Sequence, residues 1–162
     1  MATTLQIIGH KKSGKTLITT ALIKRLTQAG YRVAAIKHDA HNAAMDVPHT
    51  DSARMSGAGA HQVILQSASD FFFHQQGNVP PLSSLVEWLG KDNDFVLIEG
   101  HKQAHYPKLV LLKPGEEVNS ITSSQPIQTG SIFNTHNANL RGKDEIINWC
   151  FTFLEHAKGV KK

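Results

Sequence analysis

One stretch, GHKKSGKT at residues 9–16, narrows the folds open to this chain. An apolar run, TLQII at 4–8, leads into it and an amphipathic run follows. Gly9, Gly14, Lys15 and Thr16 satisfy the spacing G-x-x-x-x-G-K-[ST]. Glycines let the main chain turn tightly enough for successive amides to surround an anion. A helix opening at Lys15 adds unpaired N–H groups and the positive end of its dipole. On this reading Gly9, His10, Lys11, Lys12, Ser13, Gly14 and the first-turn residue Leu17 supply a main-chain cradle. Lys15 reaches the β- and γ-phosphates of a nucleotide, and the Thr16 hydroxyl ligates magnesium. The rival reading is an ordinary glycine-bearing turn. The strand before it and the helix after it argue for the cradle.

The flanking periodicities supply those elements. Leu17, Ile18, Ala21, Leu22, Leu26 and Ala29 recur near one face of a 3.6-residue period, Gly30 caps that helix, and YRVAAIK at 31–37 reads as a second strand. Strand, loop, helix and strand form a βαβ unit, for which a parallel sheet with a right-handed crossover is the default. A long polar excursion follows at 38–60, with a short helix over 50–57 begun by Thr50 or Asp51. Strands are expected at 61–66, 69–75, 94–100 and 107–113, with a helix at 82–89. A last helix at 145–154 lines up Ile146, Ile147, Cys150, Phe151 and Leu154. The whole reads as an α/β P-loop NTPase fold, a mostly parallel twisted sheet flanked by helices on both faces, in a single domain spanning 1–162.

A magnesium nucleotide also needs a carboxylate near the γ-phosphate. Glu99 ends the apolar run FVLIE, at the sheet edge where the loop opens, and resembles a Walker-B acid. Gly100 beside it lets the chain turn away. Asp39, after the second strand, and Asp51, within the excursion, are further candidates that the sequence alone does not rank; either could instead cap a helix or turn. Lys37 and Arg54 are placed beside the same mouth, and Lys102 and Lys108 extend a positive field toward a second anionic substrate. His38 and His41 are candidates for hydrogen-bonding a substrate phosphate or pterin. The other histidines lack the spacing of a zinc site.

Composition sets the outer limits. With one cysteine among 162 residues, no internal disulfide can form. Cys150 reads as a buried, inert thiol and fits a reducing cytoplasm. The apolar stretch near the start is far too short to cross a bilayer and precedes its lysines, so neither a membrane nor a secretory role is expected. A net charge of +4 suits anionic partners. The lysines are scattered, though, and no zinc-finger spacing or basic stripe interleaved with aromatics points to nucleic acid.

Taken together, GHKKSGKT, KHDAH at 37–41, DSARMSGAGA at 51–60, LIEGHK at 97–102 and PKL at 107–109 resemble the molybdopterin-guanine dinucleotide biosynthesis protein B family. The resemblance implies a GTP-binding, weakly GTP-hydrolysing, magnesium-using accessory protein that forms a homodimer. Such a protein assists the molybdopterin guanylyltransferase that joins GMP to molybdopterin, with molybdopterin-bearing proteins as further partners. Carried onto this chain, Gly14, Lys15 and Thr16 hold phosphates and magnesium, Asp51 is a loop acid near the metal, and Glu99 is the strand-end acid. Lys15, Asp51 and Glu99 then make up the catalytic set, and His38, Arg54 and Lys102 match further positions of the family pattern. In a wider class that includes the nitrogenase iron protein, a lysine often follows the first loop glycine; here that residue is His10. Guanine preference is not legible, because the late segment IFNTHNANLRGKDE lacks an Asn-Lys-x-Asp motif. Asn134 and Asn137 are either base contacts or turn organisers. A P-loop small-molecule kinase and a nucleotide-independent interaction module are the alternatives.

Overall fold

The structure is a computed structural model that describes residues 1–39 and 45–159. It forms two compact units, Met1–His38 with Val86–Lys162, and Asp39–Leu85.

The larger unit is organised by β1 (Thr3–Gly9), whose Leu5, Ile7 and Ile8 are fully buried. Strands buried on both faces read as continuous apolar runs rather than alternating ones, as in all-parallel sheets. β2 (Val33–Lys37), β5 (Phe95–Glu99), β6 (Lys108–Leu111), β7 (Gln128–Ser131) and β8 (Leu140–Arg141) complete a six-stranded sheet in the order β2-β5-β1-β6-β7-β8. Every pairing in it is parallel. All carboxyl ends therefore reach one edge, and the strand order departs from β1 in both directions, the arrangement that opens a crevice at that edge.

Two helices cover one face. α1 (Lys15–Gln28) and α4 (Lys143–Lys158) bring Ile18, Leu22 and Leu26 together with Ile146, Ile147, Cys150 and Leu154 against Leu5, Ile7, Phe95, Leu97, Leu109 and Leu111. On the other face Ile8, Val110 and Leu112 pack with Ile121 and Ala138, next to a one-turn 3-10 helix at Val118–Ser120. The end of α1 is set by Gly30 at φ 88°: its N–H donates to Thr27 O (3.0 Å) and Tyr31 N–H to Leu26 O (3.1 Å), a Schellman closure. Burial pushes the Cys150 thiol up to about 12, as an inert core cysteine requires.

The short strands β7 and β8 were not expected from the sequence. QTGS has no apolar run, and its place in the sheet depends on backbone pairing and on Gly130, where a Cβ would meet Ile146 Cγ1 at 2.9 Å. Leu17, expected on the apolar face of α1, is 44% exposed, and Ala29 is exposed too. The core face is instead completed by Thr19.

The smaller unit holds α2 (Asp51–Gly57) and the antiparallel hairpin β3 (Gln62–Gln66) with β4 (Phe71–Gln75). Thr50 caps α2, its hydroxyl accepting from Ala53 N–H at 3.3 Å. Residues opposite one another across the hairpin share a face. The face of Val63 and His74 meets α2, with a 3.0 Å hydrogen bond between Ser56 Oγ and His74 Nδ1. The opposite face carries Ile64 and Phe73 as a direct pair, with Phe71 across from Gln66. Ile64 is 62% exposed and Phe71 68%. The remaining helix, α3 (Leu82–Gly90), spans the boundary between the units.

Leu97 is fully buried in β5. We expect Leu97→Ala to lower unfolding free energy by about 2–5 kcal/mol in urea titrations, the usual cost of a core cavity.

Candidate functional site

The loop between β1 and α1 takes its shape from close packing. A Cβ on Gly9 would lie 2.4 Å from Ser13 Oγ and 2.7 Å from Leu111 O, so the chain can turn there only as glycine. Gly14, at φ 94°, is the N-cap of α1, and a Cβ there would strike Ile132 Cδ1 at 2.6 Å. Lys12 also has a positive φ of 63°. The first helical bond of α1 is Ile18 N–H to Gly14 O, at 2.9 Å. The amides of Lys15, Thr16 and Leu17 therefore precede the helical ladder and point out of the first turn as donors. Ser13 Oγ is buried and has no hydrogen-bond partner among the described residues. Glycine-only geometry, outward amides and an orphaned hydroxyl are the donor set that a phosphate group would complete.

Lys15 folds back along the loop, its Nζ donating to Gly9 O (3.1 Å) and His10 O (2.8 Å). Burial holds its ammonium below the ordinary 10.5; Glu99 pulls it back up, and Lys102, Lys37 and Lys113 push it further down. Four lysines thus meet two carboxylates here, with Glu99 acting on Lys15 and beside Lys37, and Glu116 beside Lys113. Such a site has a surplus of positive charge that a polyanion would relieve.

Glu99, 7% exposed, ends β5 beside Ile7 of β1 and Lys37 of β2. Thr16 Oγ1 donates to its two oxygens at 3.0 and 3.2 Å, and Lys37 Nζ lies 3.6 Å away. A hydroxyl and a carboxylate in contact at the start of a phosphate loop are oxygen donors of the kind magnesium takes, together with water and phosphate oxygens. Among the described residues no group of three or more His, Cys, Asp or Glu converges to hold a metal on its own.

His38 follows β2 and stacks on His101, ring centroids 4.4 Å apart and tilted by 39°. Burial, then the neighbouring His38, lowers the pKa of His101. Gly100, at φ 90°, is pressed by His38, whose Cβ would sit 3.2 Å from an added methyl.

Asp51 and Arg54 stand on α2 in the smaller unit, where Arg54 Nη1 lies 3.5 Å from Asp51 Oδ1 and both side chains are largely exposed. Lys15, Thr16, Glu99, Lys37 and Lys102 are brought together in the larger unit. His41 lies outside the described residues. Lys108, expected to extend the surface field, is 2% exposed: it starts a buried strand, and its Nζ turns inward to donate to Ala104 O at 2.6 Å.

The sequence reading missed a second anchor of the loop. His10 Nδ1 and Glu116 Oε1 lie 2.9 Å apart, Lys113 Nζ is 3.3 Å from the same oxygen, and Glu116 Oε2 accepts from Lys113 N–H at 2.8 Å. Asn137 Nδ2 donates to Lys113 O and Glu116 O, both at 2.8 Å, which makes it a turn organiser. The one signal available was the acidic turn KPGEE just past a strand on the loop side of the sheet. Burial works to raise the Glu116 carboxyl, but the Lys113 amide, His10 and the Lys113 ammonium bring it below its ordinary value.

The chain matches the family model described as molybdopterin guanine dinucleotide synthesis protein B over residues 4–130. It is 32% identical to a molybdopterin-guanine dinucleotide biosynthesis adapter protein of Haemophilus influenzae, over 97% of this chain and 92% of that one. Among solved structures, MobB of Bacillus subtilis superposes with a TM-score of 0.77 at 21% identity, covering 93% of this chain and 96% of the other. A MobB homologue of Bacillus stearothermophilus gives 0.71 at 21% identity, covering 94% and 98%. These two superpositions bear on the fold, and they match the parallel sheet with its flanking helices.

Because the folded pKa of Glu116 is depressed, its contribution to stability is present above the ordinary 4.5 and disappears as pH falls through the lowered value. The urea midpoint of the wild type should therefore drop more steeply on acidification below 4.5 than that of Glu116→Gln.

Proposed function

The chain belongs to the molybdopterin guanine dinucleotide synthesis protein B family, and from that membership we propose that it is a GTP-binding, weakly GTP-hydrolysing adapter assisting a cytoplasmic molybdopterin guanylyltransferase. The observation that carries this reading is the meeting of Lys15, Thr16 and Glu99 at the mouth of a glycine-shaped loop. The amides of Gly14 to Leu17 bind phosphate oxygens. Lys15 exchanges its bonds to Gly9 O and His10 O for the β- and γ-phosphates and neutralises charge there. Thr16, through its hydroxyl, and Glu99, through a water, are the residues that would hold magnesium, and Glu99 could alternatively orient the attacking water. Magnesium, when bound, would supply charge neutralisation at the phosphates. His38 and Lys102 line the same edge and face the terminal phosphate. Asp51 and Arg54 are proposed as further nucleotide-facing groups, Asp51 as a loop acid for the ion.

This assignment is tested by calorimetry with Mg·GTP and Mg·ATP. The wild type should bind GTP, and Lys15→Ala should weaken it by at least about tenfold, the loss that follows deletion of a charged hydrogen bond. Equal affinity in the variant rules out the cradle. Consumption of nucleotide only when a small-molecule acceptor is added would favour a kinase, and no nucleotide binding at all would favour a pure interaction module.

We also propose a homodimer formed through the free face of the hairpin. A two-stranded ribbon has two open edges and, by itself, too little buried surface for stability. Here its outer face exposes Ile64, Phe71 and Phe73 rimmed by Gln62 and Gln75. Sedimentation should show a dimer for the wild type and a monomer for Ile64→Lys with Phe73→Lys; an unchanged dimer in that variant sinks the assignment.

A further inference from the structure

Buried polar side chains are costly in a sheet core, and the larger unit keeps three beneath one turn. Gln6 lies on central strand β1 with no exposure, Lys108 opens β6 at 2% and Thr122 is 4% exposed. Gln6 and Lys108 are register neighbours on one sheet face. Gln6 Nε2 donates to Gly100 O (2.8 Å) and His101 O (2.6 Å), Lys108 Nζ to Ala104 O (2.6 Å), and Thr122 Oγ1 to Lys102 O (3.4 Å). Four carbonyls of the turn directly after Glu99 are thus held from below by donors on three separate segments. The arrangement carries visible costs. Gln6 Oε1 is buried without a partner among the described residues, and Lys108 is desolvated. The turn itself runs through two positive φ values, Gly100 at 90° and the non-glycine His101 at 55°. Apolar residues at 6 and 108 would pack the sheet at less cost.

We propose that Gln6 and Lys108, with Thr122 as a weaker third, are positioning residues that fix the 100–104 turn in one conformation. In that conformation Glu99 and Lys102 face the phosphate loop. The role rests on the nucleotide reading given above. Its logic is economical: Gln6 lies three residues before Gly9 on the strand that feeds the loop, so one strand sets the position of both walls of the site. Residues retained against packing preference concentrate where function requires them.

The test uses Gln6→Met and Lys108→Met in the full chain, since methionine fills the space without donating a hydrogen bond. Three readouts are compared with the wild type: melting temperature, amide exchange of the 100–104 segment, and GTP turnover beside Mg·GDP affinity. Melting should change by no more than about 4 °C or rise, because a buried polar group is removed as a donor is lost. Exchange at 100–104 should speed up by about tenfold or more while β1 and β6 stay protected. Turnover should fall by at least about tenfold with Mg·GDP affinity held within about twofold, since the displaced Lys102 is assigned to the terminal phosphate that GDP lacks. Thr122→Ser should retain wild-type turnover where Thr122→Val loses part of it. Unchanged exchange, or equal losses of GDP affinity and turnover tracking a fall in melting temperature, overturns the positioning role and leaves the nucleotide reading intact. A wild type that binds no guanine nucleotide overturns the nucleotide reading itself, and the positioning role with it.

Discussion

The absence of a side chain at Gly9 is the constraint on which the larger unit depends. The strand that ends there is buried and paired on both sides, so the turn must be made in the space between Ser13 and Leu111. No room is left for a methyl group. Once the chain turns within that space, Gly14 takes a left-handed conformation against Ile132, and α1 starts with its free amides facing the sheet edge. The parallel pairing then delivers Lys37 and Glu99 to the same edge from β2 and β5. The geometry of the site therefore follows from strand direction and one tight turn, with few side-chain choices required.

Much of this was legible in the sequence because it rests on local patterns. TLQII, the loop and the α1 period each announce their element, and the carboxyl-end position of Glu99 follows once the sheet is known to be parallel. β7 and β8 were not legible, since QTGS and Leu140–Arg141 are held by neighbours rather than by an apolar period of their own. Lys108 misled for a related reason: a lysine reads as solvated unless a distant carbonyl, here Ala104 O, is known to receive it. Glu116 escaped notice because its partner His10 lies 106 residues away. Local chemistry was readable, whereas pairings across long stretches of chain had to await the fold.

The smaller unit follows a different economy. Its apolar residues are concentrated in a short hairpin that α2 covers only around Val63 and His74, while Leu65 and Phe72 on that face, and Ile64, Phe71 and Phe73 on the other, stay exposed. In the larger unit the apolar residues are enclosed between a sheet and two helices. The chain thus separates a self-sufficient core from a segment whose aromatic residues are available to other molecules, and the two can change in sequence under different pressures.

The contact between His10 and Glu116 ties these observations to evolution of the site. Through Lys113 and Asn137 the phosphate loop is braced by the loops that follow β6 and β7. An insertion or deletion between Asn134 and Asn139 would therefore change the tension on a loop far from it in sequence. Lineages that remodel those late loops must adjust the residue after Gly9 in step, so covariation at position 10 with positions 113, 116 and 137 is a historical trace this architecture should leave.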